Sequence, residues 1–193
     1  MAKAEKKISS SDSVKIIVTT PADQQPICRG FYQVEEDSLY VPFYPGGSFF
    51  SFLDSPQVAF DVDRTGRLLF IQVHVPRHGW ITRDNLVPPA TKEAAEMHLR
   101  GFREKLPAAR LETPPDRSWL RIVFADDSAT RPCIIAENLI CEILDRRSLA
   151  AVWIMSIEDD RAARGMAAWR GSVADEFRKR ASDPRFTRIE IQR

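Results

Sequence analysis

The sequence predicts an α+β fold: two tandem copies of an antiparallel β-meander, each followed by a helix packed on its sheet, with room for a pseudo-twofold relation. Three observations predict it. A strand-turn-strand unit at Val58–Val75 (VAFDVDRTGRLLFIQVHV) returns at Leu139–Ser156 (LICEILDRRSLAAVWIMS) under a gapless shift of 81 residues. The same shift carries Leu39, Val41 and Phe43 onto Leu120, Ile122 and Phe124, and Ile71 and Val73 onto Val152 and Ile154. Behind each unit lies an apolar stripe at helical spacing.

In chain order, MAKAEKKISSSD (1–12) reads as a polar tail without the apolar stretch of a secretory signal. The first copy spans 13–107. Ser13–Thr20, Ile27–Glu35 and Asp37–Phe43 alternate as strands. Tyr44-Pro45-Gly46-Gly47 marks a turn, and Phe49–Leu53 resumes the sheet. Asp63-Arg64-Thr65-Gly66 suits a type I turn, with Asp first and Gly fourth. Leu68–Val75 is almost continuously apolar, which predicts cover on both faces. Thr91–Leu106 predicts the covering helix, capped by Thr91, with Ala95, Leu99, Phe102 and Leu106 on one side.

Residues 108–118, with Pro114-Pro115, read as a linker. The second copy spans 119–193, and the two copies can also form one globular domain. Its strands are Trp119–Phe124, Cys133–Ala136 and the hairpin Leu139–Ile157. Glu158, Asp159 and Asp160 favour the positive end of a following helix, whose stripe is Ala162, Met166, Trp169, Val173 and Phe177. Phe186–Gln192 predicts a last strand.

The first copy resembles a family of small uncharacterised bacterial β-meander domains with the pattern D-x-L-Y-[IV], then D-x-D-x-x-G-R-L-x-x-I-x-[IV]. The residues carrying it are Asp37, Leu39, Tyr40 and Val41, then Asp61, Asp63, Gly66, Arg67, Leu68, Ile71 and Val73. The second copy departs from it at Arg121, Glu142 and Arg147. The resemblance implies a fold and a bacterial origin, and no activity.

Composition is that of an ordinary globular chain, 44% apolar, with no run near the ~18 residues that span a bilayer. Cys28, Cys133 and Cys141 have no metal-like spacing and read as reduced thiols of a cytoplasmic protein. Net charge is +1, but 161–193 carries nine Arg or Lys against four acids.

Asp61 and Asp63 resemble the start of a calcium loop, yet its later ligands and closing Glu are missing. His74 and His78 are spaced H-x-x-x-H, but Pro76 interrupts them on a strand, where the zinc geometry fails. No G-x-S-x-G elbow or phosphate loop is present. No catalytic, cofactor-binding or metal-ligating set is therefore assigned. Trp80, in the segment HGWITRDNLVPP that the second copy lacks, is a candidate contact residue. Asp61, Asp63, His74 and His78 complete the candidate interaction residues. The expected function is a non-enzymatic interaction or structural module, with a protein partner or a homo-oligomer and no membrane. The alternatives are a nucleic-acid accessory protein using the basic C-terminal helix, and a small metal-dependent enzyme using Asp61, Asp63 and the histidines.

Overall fold

Alternation of bulky apolar and polar side chains produces fifteen strands and a single α-helix among the described residues. The computed structural model describes residues 13–20, 26–43, 47–91, 93–126, 129–145 and 147–181, with side chains to residue 172. The expected tail, most of the Tyr44–Gly47 turn and the expected strand Phe186–Gln192 lie outside them.

The strands form two mixed sheets. The N-terminal sheet contains β2 (Gly30–Gln33), β3 (Ser38–Pro42), β4 (Ser51–Asp54), β5 (Val58–Val62), β6 (Leu68–Val73), β9 (Glu104–Lys105) and β15 (Ile157–Asp160), in the order β15-β2-β3-β6-β5-β4-β9. The C-terminal sheet contains β7 (Ile81–Thr82), β10 (Arg110–Thr113), β11 (Leu120–Val123), β12 (Arg131–Ala136), β13 (Leu139–Leu144) and β14 (Ser148–Ile154), in the order β12-β13-β14-β11-β10-β7. Two further strands join them. β1 (Val14–Thr19) pairs Lys15 with Ser148 of β14, then runs antiparallel to β8 (Glu96–Leu99). His98 of β8 in turn bridges Arg67 at the entrance to β6.

The pairings of the two sheets differ by 81 at many positions. Leu39 faces Val73, and Leu120 faces Ile154; Val41 faces Ile71, and Ile122 faces Val152. Phe60 pairs with Ile71, and Cys141 with Val152. A register irregularity falls between Asp61 and Val62 in one sheet and between Glu142 and Ile143 in the other. The sheets also exchange strands. β7 leaves the N-terminal hairpin and runs parallel to β10, while β15 leaves the C-terminal hairpin and runs parallel to β2.

The inward faces bury Leu39, Val41, Val58, Phe60 and Ile71 from one sheet and Leu120, Ile122, Cys141, Val152 and Ile154 from the other, in one core. Phe60 meets Phe124 edge to face at 5.8 Å across it.

The fold is thus nearly all-β, and the expected α+β architecture with helices packed on the sheets does not form. Thr91–Leu106 is not a helix. Ala95, Met97 and Leu99 are buried at a spacing of two, so the stretch satisfies a strand as well as a stripe, and its edge hydrogen bonds go to β1. The positive φ of Gly101 (138°) and Arg103 (52°) then breaks any helical run. The expected linker carries β10. Leu68–Val73 is fully buried on its inner face only, since Phe70 and Gln72 are half-exposed. Glu158 to Asp160 lie in β15, which precedes α1 (Arg164–Ala181). Asp160 still caps that helix, accepting from the Gly165 and Met166 amides at 2.7 and 2.9 Å.

Candidate interaction surface

Because strand side chains alternate, residues adjacent to the core positions of the N-terminal sheet form an outer face. Phe31, Tyr40, Phe70, Asp61 and Phe52 cross it from β2 to β4: Phe31 pairs with Tyr40, Asp61 with Phe70, and Phe52 with Asp61. The Tyr40 and Phe70 rings lie 5.7 Å apart. At the β2 end the face is covered, since Trp169 of α1 sits on Phe31 at 6.2 Å and both are buried.

The β4 end is open. Phe50 precedes Phe52 by two residues of extended chain, and Phe102 lies against Phe50 at 5.3 Å. Phe50, Phe52 and Phe102 are 42%, 36% and 53% exposed, and neighbouring Phe49 is 60% exposed. Arg64 and Arg103 place guanidinium groups 5.3 and 5.4 Å from the Phe50 and Phe102 ring centres. Contiguous exposed aromatic surface of this kind marks an interaction site more often than a free surface does.

The corresponding face of the C-terminal sheet is closed by charge. Arg121 reaches Glu112 at 3.2 Å on one side and Glu142 at 2.9 Å on the other. Its guanidinium lies 5.1 Å from the Trp153 ring centre, and the Trp153 indole donates to Glu142 at 2.6 Å. Thr130 donates to the other Glu142 oxygen at 2.8 Å. Glu112 also receives Arg110 at 2.9 Å and Arg83 at 3.4 Å, and Arg110 holds Asp126, whose carboxyl its hydrogen bonds and then its charge keep below the usual range against burial. A shallow groove of about 410 Å³ beside β7 is lined by Thr82, Arg83, Asp84, Asn85, Leu86 and Glu112. Of these, Glu112 is already engaged by Arg83, Arg110 and Arg121.

The sequence-predicted residues are dispersed. Trp80 is not a surface contact: it is 4% exposed, its indole donates to the Val75 carbonyl at 3.0 Å, and its ring meets Tyr32 edge-on at 5.8 Å. The segment that carries it adds β7 to the opposite sheet, which turns the indole inward. His78 is exposed, 3.8 Å from Asp37, whose carboxylate accepts from the Tyr32 hydroxyl. His74 sits at the exposed far end of the β5–β6 hairpin, remote from the Asp63 turn. Asp63 is a turn residue: burial opposes its charge, but the Thr65 hydroxyl and the Thr65 and Arg67 amides hold its carboxyl below the ordinary range. Asp61 behaves oppositely. Burial raises its pKa, and it has no hydrogen bond or ion pair among the described residues. Of the five, only Asp61 belongs to the aromatic face.

Among the described residues, no three His, Cys, Asp or Glu side chains are grouped to hold a metal. All three cysteines are buried, and burial pushes the Cys28 thiol up to about 12. Cys133 and Cys141 face each other across β12 and β13. Ile134 turns its amide and carbonyl outward to Glu93 and Ala95, so the adjacent Cys133–Cys141 pair is the hydrogen-bonded kind. Its Cβ atoms then stand near the wide end of the ~4.5–5.5 Å cross-strand range, beyond the ~3.8 Å that a disulfide favours. On α1, Arg164 and Arg170 are exposed; the basic side chains from Arg178 onward lie outside the described residues.

The open aromatic patch is hidden in the sequence because Phe102 fits a helical stripe with Ala95, Leu99 and Leu106. The doublet Phe49-Phe50 was the available signal, since adjacent strand residues cannot both face one core. No family model, curated protein or solved structure matches the chain.

Proposed function

We propose that the chain is a non-enzymatic interaction module that engages a protein partner, or a second copy of itself, through the open aromatic end of the N-terminal sheet. The observation that carries this reading is the exposure of Phe50, Phe52 and Phe102 in one patch beside the short edge strand β9. Size-exclusion chromatography with light scattering, and capture from the native host, test it. An oligomer or a captured partner is expected, lost in Phe50→Ser Phe102→Ser while that variant keeps the wild-type circular dichroism. A strict monomer that captures nothing overturns it.

The reading includes a bacterial cytoplasmic setting, supported by three buried thiols without a disulfide. No helix of the described residues is long and apolar enough to cross a membrane. It also includes a duplicated ancestral unit. Support comes from the pairings that differ by 81, and from β1 and β8, which flank the starts of β14 and β6 in the same way. The residues that carry the family resemblance lie in β3 and the turn before it, β5, β6 and the β5–β6 turn of one sheet, which supports that resemblance.

A further inference from the structure

We propose that Asp61, with the flanking Phe52 and Phe70, is the seat for an arginine side chain presented by the protein partner. This rests on the interaction reading above and assigns the chemistry of its occupant.

Two other guanidinium seats in this chain show what such a site contains. Arg77 lies 3.9 Å from the Tyr32 ring centre and pairs with Asp159 at 2.6 Å. Arg121 lies over Trp153 and pairs with Glu142 and Glu112. In each, an aromatic ring carries the flat cation and a carboxylate fixes its edge.

Asp61 occupies in the N-terminal sheet the place that Glu142 occupies in the C-terminal sheet. Asp61 pairs with Phe70 of β6, as Glu142 pairs with Ala151 of β14, and the two positions differ by 81. The place of Arg121, however, is taken by Tyr40, whose hydroxyl is engaged by Glu36 at 2.6 Å and by Gln72 at 3.3 Å. The carboxylate is therefore present and the rings are present, but no described residue supplies the cation. A half-buried carboxylate between aromatic residues, without a cation of its own, is complementary to a partner's guanidinium. A neutral apolar partner would bury that charge unpaired.

The test is an NMR titration of the full chain with the blocked tripeptide acetyl-Gly-Arg-Gly-amide, and with its uncharged citrulline counterpart. Saturable shifts of the Asp61 carboxyl carbon and the Phe52 and Phe70 rings are expected with arginine alone. Asp61→Asn should weaken that binding about tenfold or more, as loss of a charge-assisted contact does. Absence of these shifts, equal response to citrulline, or unchanged affinity in Asp61→Asn overturns the inference. If Phe50→Ser Phe102→Ser abolishes partner capture while Asp61→Asn leaves capture intact, the interaction reading stands and the arginine seat falls.

Discussion

A Cβ placed on Gly66 would come within 2.3 Å of the Leu99 carbonyl oxygen. The β5–β6 turn and β8 are that close because the Leu99 amide donates to the Gly66 carbonyl at 2.8 Å. Gly66 also has a φ of +85°, where other residues are strained. Gly66→Ala is therefore expected to cost about 2–4 kcal/mol, combining left-handed strain with a clash against backbone. Urea unfolding measures it, as a midpoint shift at unchanged slope. A cost within about 0.5 kcal/mol of zero would show that β8 does not hold this turn.

Among the described residues, Arg121 is the only cation on Glu142, and both are largely buried. Arg121→Ala leaves that carboxylate uncompensated and should cost about 3–5 kcal/mol. Adding Glu142→Gln should recover part of the loss, so that the double variant is less destabilised than the sum of the two singles. Additive costs would refute a coupled network.

The thiols give a pH dependence. Burial raises the Cys28 and Cys141 pKa values, so the folded state keeps both protons while the unfolded chain releases them above about 8.5. Stability from this source is complete below that pH and is lost as pH rises toward the folded values, at up to about 1.4 kcal/mol per pH unit for each thiol. Unfolding of the native chain compared with Cys28→Ala Cys141→Ala, at pH 8 and pH 10, isolates the effect from other alkaline titrations. The double variant should show the shallower decline. A thiol reagent should label no cysteine in the native chain and three after unfolding.

Strand exchange predicts that the halves are interdependent. Residues 1–107 lack β15, and 108–193 lack β7 and β1. Each alone should give poorly dispersed amide spectra, and mixing them should restore dispersion. A folded 1–107 fragment would show that β15 is dispensable.

The strands around the two hairpins were legible because Leu39, Val41, Ile71 and Val73, and their counterparts 81 residues on, alternate in a way only a one-sided sheet requires. Thr91–Leu106 is ambiguous in sequence because Ala95 and Leu99 fit steps of four and of two alike. The choice was made by β1, more than 75 residues away in sequence. The aromatic face was illegible for a related reason. Phe52, Asp61 and Phe70 are each an ordinary outward position, and only register sets them side by side. Arg121 and Glu142 likewise carry no local signal of their pairing.

The place of β15 beside β2 sets a timetable. Gln33 leaves the ribosome 127 residues before Asp160, to which it donates a hydrogen bond at 2.6 Å in the finished fold. At about 5–20 residues per second, β2 waits roughly ten seconds for its neighbour. For that interval the growing chain carries a raw β edge on its first sheet, open to chaperones or to a neighbouring nascent copy, and synthesis of β15 closes it.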